Sequence, residues 1–221
     1  MPSPTPRTDL LKVNEIFYSI QGESSFAGKP CIFIRLAGCN LRCFYCDTTY
    51  AYSDGKTMSI DEIVNQVQKY TCPLVEITGG EPLLQDETPL LANMLLEKKY
   101  TVLVETNGTK NIDSLPSDVI RIVDIKTPAS GEDGQTDWDN INRLKTTDEV
   151  KFVLMNKADY DWTKEKISQF EITKKAQVHL SPVNNKLAPA ELAEWILKDR
   201  LDVRLQVQLH KILWPGNERG K

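Results

Sequence analysis

The chain has 221 residues, with 31 acidic against 27 basic side chains for a net charge of -4, and it is 40% hydrophobic and 26% charged. That length buries a full core, and the acidic balance argues against a nucleic-acid binder, whose phosphate-tracking surface needs a Lys/Arg excess. No apolar run is long enough to cross a membrane, and Pro2, Pro4 and Pro6 stand where a secretion signal would carry its apolar core. The expected compartment is the cytoplasm, where thiols stay reduced.

Apolar runs alternate with amphipathic stretches. Residues 31–36 read as a first buried strand, and the loop after it carries Cys39, Cys43 and Cys46 in a C-x3-C-x2-C run. Ser59-x-x-Glu62 is a capping box that opens a helix to about residue 70. Residues 74–78 form a second strand, followed by Gly79-Gly80-Glu81-Pro82 and a helix of roughly 88–98. Strands three and four are expected at 101–105 and 120–125, a polar loop at 131–139, a fifth strand at 149–154, and a helix at 160–170. A sixth strand at 176–180 and a helix at 189–198 with proline in its first turn follow, with 203–207 as a candidate last strand. Such alternation is the pattern of an α/β fold with a parallel sheet. About six parallel strands are too few for a complete eight-fold barrel, so the expected architecture is a partial, shortened βα barrel in a single domain spanning residues 1–221.

Polar clusters fall at one edge of that sheet, the C-terminal ends of the strands, where such folds bind ligands. They are the cysteine loop with Asp47 and Thr48, then Thr78 to Pro82, Glu105-Thr106-Asn107-Gly108, Asp124-x-Lys126, and Ser181-Pro182. The glycine pair would let a ligand approach the backbone, although it lacks nucleotide-site spacing. Three thiolates in eight residues can hold a metal or an iron–sulfur cluster. A structural zinc site would need a fourth ligand. The two histidines, His179 and His210, lie far along the chain, and Asp47 is an oxygen ligand where such sites favour sulfur and nitrogen. Cys31 and Cys72 stand apart and read as packing residues.

C-x3-C-x2-C after the first strand, Tyr45 just before its last cysteine, and Gly-Gly-Glu-Pro after the second strand together resemble the radical S-adenosylmethionine superfamily. The segments Asn14 to Glu23, Phe33 to Leu41, Cys46-Asp47-Thr48, Thr78 to Pro82, Glu105 to Gly108, Asp124-Ile125-Lys126 and Gln208-Leu209-His210-Lys211 are similar to the 7-carboxy-7-deazaguanine synthase family over nearly the whole chain. That resemblance implies a lyase that converts 6-carboxy-5,6,7,8-tetrahydropterin to 7-carboxy-7-deazaguanine with loss of ammonia, a step towards the tRNA base queuosine. It implies a [4Fe–4S] cluster on Cys39, Cys43 and Cys46, with S-adenosylmethionine on the iron that no cysteine holds. A radical made from that cofactor then abstracts hydrogen, so no acid–base side chain is needed for the first step. Mg²⁺ on the Thr48 hydroxyl, a homodimer, and a low-potential flavodoxin or ferredoxin as electron donor are further implications.

Carried over by position, Ile20, Gln21, Gly22, Glu23, Thr78 and His210 would contact the pterin, and Arg35 would meet its carboxylate bidentately. On the strand alone, the alternative reading of Arg35 is the partner of a nearby acid. Tyr45, Cys46, Asp47, Gly80, Asp124, Ile125, Lys126, Ser181, Pro182, Val183 and Asn184 would line the S-adenosylmethionine site. Two departures stand out: Ser24 replaces a glycine common in relatives, and residues 212–221 extend past the His-Lys pair near which some relatives end. A glycyl-radical enzyme activase would lack the Gln-Gly-Glu and Arg35 set. A non-catalytic zinc-binding module is the alternative from another class.

Overall fold

The computed structural model describes residues 9–216 and 219–220. Among them nine strands form one open sheet: β1 Leu10–Ile20, β2 Pro30–Leu36, β3 Lys56–Ser59, β4 Leu74–Gly79, β5 Thr101–Thr106, β6 Ile120–Ile125, β7 Glu149–Leu154, β8 Gln177–Pro182 and β9 Arg204–Leu205. Their order is β3-β1-β2-β4-β5-β6-β7-β8-β9. Every pairing from β2 to β9 is parallel. β1 runs antiparallel to both β2 and β3. Six full-length parallel strands match the expected count, and the expected 203–207 strand shrinks to two residues. The antiparallel pair β1 and β3 was not among the expected elements.

Helices α1 Ile60–Val67, α2 Thr88–Glu97, α3 Asn140–Arg143, α4 Lys157–Gln169, α5 Pro189–Asp199 and α6 Leu209–Leu213 lie among these strands. The capping box forms as its residues dictate: the Glu62 N–H donates to Ser59 Oγ at 3.2 Å and the Ser59 N–H donates to Glu62 Oε2 at 2.8 Å. α1 nevertheless ends three residues before the expected position, and two of its apolar side chains, Ile63 and Val67, pack in a core with Val75, Ile77, Leu91 and Leu95. A second core joins Val150, Phe152, Val178 and Leu180 to Tyr160, Ile167, Leu192 and Ile196 from α4 and α5.

Period-two alternation along the strands divides these cores from the sheet's other face. On β4, Val75 and Ile77 enter the core while Glu76 and Thr78 line a cavity. On β6 and β7, Val123, Ile125, Val150 and Phe152 do the former, and Asp124, Lys151 and Val153 the latter. The inner face is therefore lined with ions, and its mouth lies where the loops after the strands gather. Ser24 occupies the turn after β1 at φ 63°, a left-handed conformation that explains why glycine is acceptable there. Its hydroxyl accepts the Phe26 N–H at 3.1 Å, and its carbonyl accepts Gln206 Nε2 at 3.0 Å.

The glycine pair at the end of β4 borders the cavity and also serves close backbone packing. A Cβ on Gly79 would stand 2.1 Å from the Leu36 carbonyl oxygen, and one on Gly80 2.1 Å from that of Gly38. Both glycines let the β4 loop lie directly on the start of the cysteine loop. Gly79→Ala, at φ 147° and against backbone, should cost about 3 kcal/mol. Thermal unfolding should record this as a fall in Tm of roughly 6–12 °C.

Candidate active site

The cysteine loop is pinned from several sides before any ligand is considered. Gly38, at φ 98°, donates its N–H to Ala51 at 2.8 Å and accepts the Glu81 N–H at 2.7 Å. The Phe44 N–H donates to the Ser130 carbonyl at 3.1 Å, and the Arg42 N–H to Glu132 Oε1 at 2.6 Å. The Arg42 guanidinium donates to the Cys39 and Leu41 carbonyls and lies 4.4 Å from the Tyr52 ring centre. Burial raises the Tyr52 phenol, and its hydrogen bond to the Cys46 sulfur raises it further. Glu81 is wholly buried and acts as a brace: its carboxylate accepts from Thr106 Oγ1, the Asn107 N–H and the Leu83 N–H at 2.8, 2.6 and 2.9 Å.

Cys39, Cys43 and Cys46 are free, half-buried thiols on the wall of one cavity. Burial pushes the Cys43 thiol up to about 11 although Lys126 pulls the other way, so as a lone thiol Cys43 stays protonated at neutral pH. Among the described residues no three His, Cys, Asp or Glu side chains converge as they would on one metal ion. A four-iron cluster makes a different demand, since each thiolate binds its own iron. The donor set therefore fits such a cluster. Deeper in the site, Asp124 Oδ1 is buried without a hydrogen-bond partner, which fits a ligand with polar groups beside it. Thr48 Oγ1 donates to Asp47 Oδ1 at 3.0 Å, placing two hard oxygen donors side by side. Burial opposes the Asp47 charge, but Lys211, 2.6 Å away, outweighs it and holds the carboxyl at about 2.

The turn after β1 faces the same cavity. The Gly22 carbonyl accepts the Leu209 N–H at 3.0 Å, and a Cβ on Gly22 would stand 2.2 Å from His210 Nδ1. Burial lowers the His210 pKa, so its imidazole is neutral at pH 7. Arg35 Nε donates to Glu15 Oε1 at 2.8 Å, and the Tyr50 hydroxyl donates to the same oxygen at 3.2 Å. The simpler reading of Arg35 as an acid's partner is thus true of its Nε.

Apart from Ile125, Ser181 and Pro182, every residue that the resemblance assigns to the cluster, the cofactor, the pterin or Mg²⁺ lines this cavity. Ile125 belongs to the second core, Ser181 is fully buried, and Pro182 lines a neighbouring pocket with Asn184 and Lys186. Sequence reasoning passed over Glu76 and Lys151, both on the cavity wall. Lys151 Nζ lies 2.9 Å from Glu23 Oε2 and 3.2 Å from Asp124 Oδ2, and it also pairs with Glu105. Asp124 Oδ2 is shared with Lys126 at 2.9 Å. Glu76 accepts a hydrogen bond from Gln21 Nε2. Burial, with the Glu105 charge beside it, raises Glu76 well above the usual carboxylate range. The available signal was a charge in the middle of an apolar strand, which must find a partner once buried.

Residues 33–124 match the Radical SAM superfamily model. A 7-carboxy-7-deazaguanine synthase of Koribacter versatilis is 44% identical over 225 aligned residues, covering 95% of this chain and all of the relative. One from Chlorobaculum tepidum is 47% identical over 213 residues, covering 95% and 97%. The chain belongs to the 7-carboxy-7-deazaguanine synthase family. QueE from Escherichia coli has the same fold, with a TM-score of 0.78 and 25% identity over 92% of this chain and 96% of that one. As a member of this family the chain is a radical S-adenosylmethionine lyase that uses a [4Fe–4S] cluster and S-adenosylmethionine.

The acids of the site carry opposite pH signatures. Burial opposes the Glu23 charge, but Lys151 and Gln208 outweigh it and hold the carboxyl at about 2, below an ordinary value of 4.5. Its contribution is therefore complete above pH 4.5 and lost as pH falls towards 2, on the order of 3 kcal/mol over that window. Glu76 is raised, so its contribution is present below pH 4.5 and fades as pH climbs through its folded value. Urea unfolding between pH 3 and 8 should show Glu23→Gln flattening the acid limb and Glu76→Gln raising stability relative to wild type at the neutral end.

Proposed function

We propose that this chain converts 6-carboxy-5,6,7,8-tetrahydropterin to 7-carboxy-7-deazaguanine with loss of ammonia, on the path to queuosine. One observation carries the reading: the three free cysteines and the Gln21-Gly22-Glu23, Arg35 and His210 set open on a single cavity. Cys39, Cys43 and Cys46 would hold the cluster. When bound, the cluster and S-adenosylmethionine supply one electron and a 5′-deoxyadenosyl radical for hydrogen abstraction.

The chain's own groups bind, orient and exclude water. Arg35 would receive the pterin carboxylate, and its guanidinium carbon lies 5.8 and 5.9 Å from the Phe17 and Tyr50 ring centres, which limits its swing. Neutral His210, Thr78 and the Gln21-Gly22-Glu23 turn would meet the ring. Asp124 with its unpartnered Oδ1, Lys126, Tyr45 and Asp47 would border S-adenosylmethionine, with Val183 and Asn184 beyond them. Thr48 would offer Mg²⁺ its hydroxyl, a role supported by the adjacent Asp47 oxygen.

Residues 204–211 complete the site begun by residues 20–25, which supports reading 1–221 as one domain. A homodimer is supported by the exposed Leu205, Val207, Ile212 and Leu213 of the C-terminal segment. Docking of a low-potential flavodoxin or ferredoxin is supported by Phe44, 85% exposed directly beside Cys43. No described helix is long and apolar enough to cross a membrane. A glycyl-radical activase is disfavoured because Arg35 and the Gln-Gly-Glu turn have no task in it.

Anaerobically reconstituted protein given a reductant, S-adenosylmethionine, Mg²⁺ and carboxytetrahydropterin should yield 7-carboxy-7-deazaguanine by mass spectrometry. Cofactor cleavage without that product refutes the substrate assignment, and colourless protein with about one zinc and no labile sulfide refutes the radical reading. Arg35→Met should raise the pterin KM by about 30- to 100-fold. Thr48→Val should remove most of the Mg²⁺ stimulation measured in a metal titration.

A further inference from the structure

Lys151 is a buried ion in the middle of β7, 5% exposed. Its three carboxylate partners arrive from three other segments: Glu23 from the turn after β1, Glu105 from β5 and Asp124 from β6. Glu23 Oε1 is held in addition by Gln208 Nε2 at 2.9 Å. One ammonium thus touches both an acid assigned above to the pterin and an acid assigned to S-adenosylmethionine.

The charge count gives the arrangement a direction. Lys126 already answers Asp124, so Lys151 is left with two carboxylates, Glu23 and Glu105, against its single charge. A wall with that surplus favours a ligand that presents N–H donors. The aminopyrimidinone ring of a pterin presents several. Glu23 and Glu105 remain 17% and 23% exposed to the cavity, so each retains acceptor capacity after pairing with Lys151. Burial disfavours the Lys151 charge, yet Asp124, Glu105 and Glu23 outweigh it and raise the ammonium well above its ordinary range.

We propose that Lys151 is a positioning residue for the pterin: it fixes Glu23 and Glu105 as acceptors for the ring's N–H donors and holds Asp124 on the S-adenosylmethionine side. This assignment rests on the substrate reading above. Without the ammonium, three facing carboxylates repel one another and turn apart, and the pterin loses two oriented acceptors. Lys151 itself need not touch the reacting atoms.

The test compares reconstituted wild-type enzyme with Lys151→Gln, Lys151→Arg and the Lys151→Gln/Glu23→Gln pair. It uses calorimetric titration with pterin-6-carboxylate and with S-adenosylmethionine, alongside KM, kcat and thermal unfolding. Lys151→Gln should weaken pterin-6-carboxylate and raise the carboxytetrahydropterin KM by about 10- to 100-fold. Its loss of S-adenosylmethionine affinity should be at least tenfold smaller, and arginine should restore part of the pterin affinity because it keeps the charge. If the single variant does not fold, the pair removes one charge of each sign and must still bind pterin weakly. Pterin affinity within twofold of wild type in any folded glutamine variant overturns the proposal, as do equal losses for both ligands that track the fall in Tm. Wild-type enzyme that binds no pterin and makes no deazaguanine sinks the substrate reading itself, an outcome visible before any variant is made.

Discussion

Burying charge on the inner face of an open parallel sheet is the constraint that organises this molecule. Strands β4 to β7 each send apolar side chains into the helical cores and an ion into the cavity, so charges meet where water is scarce. Such ions persist only when paired. Lys151 and Lys126 answer Glu23, Glu105 and Asp124, Arg35 answers Glu15, and Lys211 answers Asp47. Among the described residues Glu76 forms no ion pair and accepts from Gln21 instead, and burial with the Glu105 charge beside it pushes its carboxyl towards the neutral form.

The same network leaves the cysteine loop on supports of its own. The cysteine loop is locked by backbone contacts to Gly79 and Gly80, by the Glu81 brace and by Arg42, none of which requires the cavity ions. The wall around Glu23 depends on those ions and on the C-terminal segment lying over Gly22. The cysteine loop and the Glu23 wall therefore stand on separate supports. Close backbone packing secures the first, and electrostatic pairing secures the second.

Much of this was legible in the residues because local chemistry decided it. The strands at 120–125 and 149–154 begin and end where their apolar runs do, and the Ser59 capping box opens α1 as expected. β1 and β3 escaped because their pairing is antiparallel and long-range, outside the strand–helix alternation that guided the reading. Ile125 was misplaced by motif adjacency: its neighbours Asp124 and Lys126 face the cavity, and the pleat sends the residue between them into the core. Lys151 and Glu76 looked like interruptions in buried strands. Only the sheet order shows that β4 and β7 turn their polar faces towards one space.

The turn at residues 21–25 is tied to the end of the chain rung by rung. Ser25 Oγ accepts from Arg204, the Ser24 carbonyl from Gln206, Glu23 from Gln208 and the Gly22 carbonyl from the Leu209 N–H. During synthesis on the ribosome, the cysteine loop and the first sheet strands emerge long before residues 204–211. The Glu23 wall of the cavity is thus among the later parts to assemble, well after the cysteine loop that shares the cavity with it.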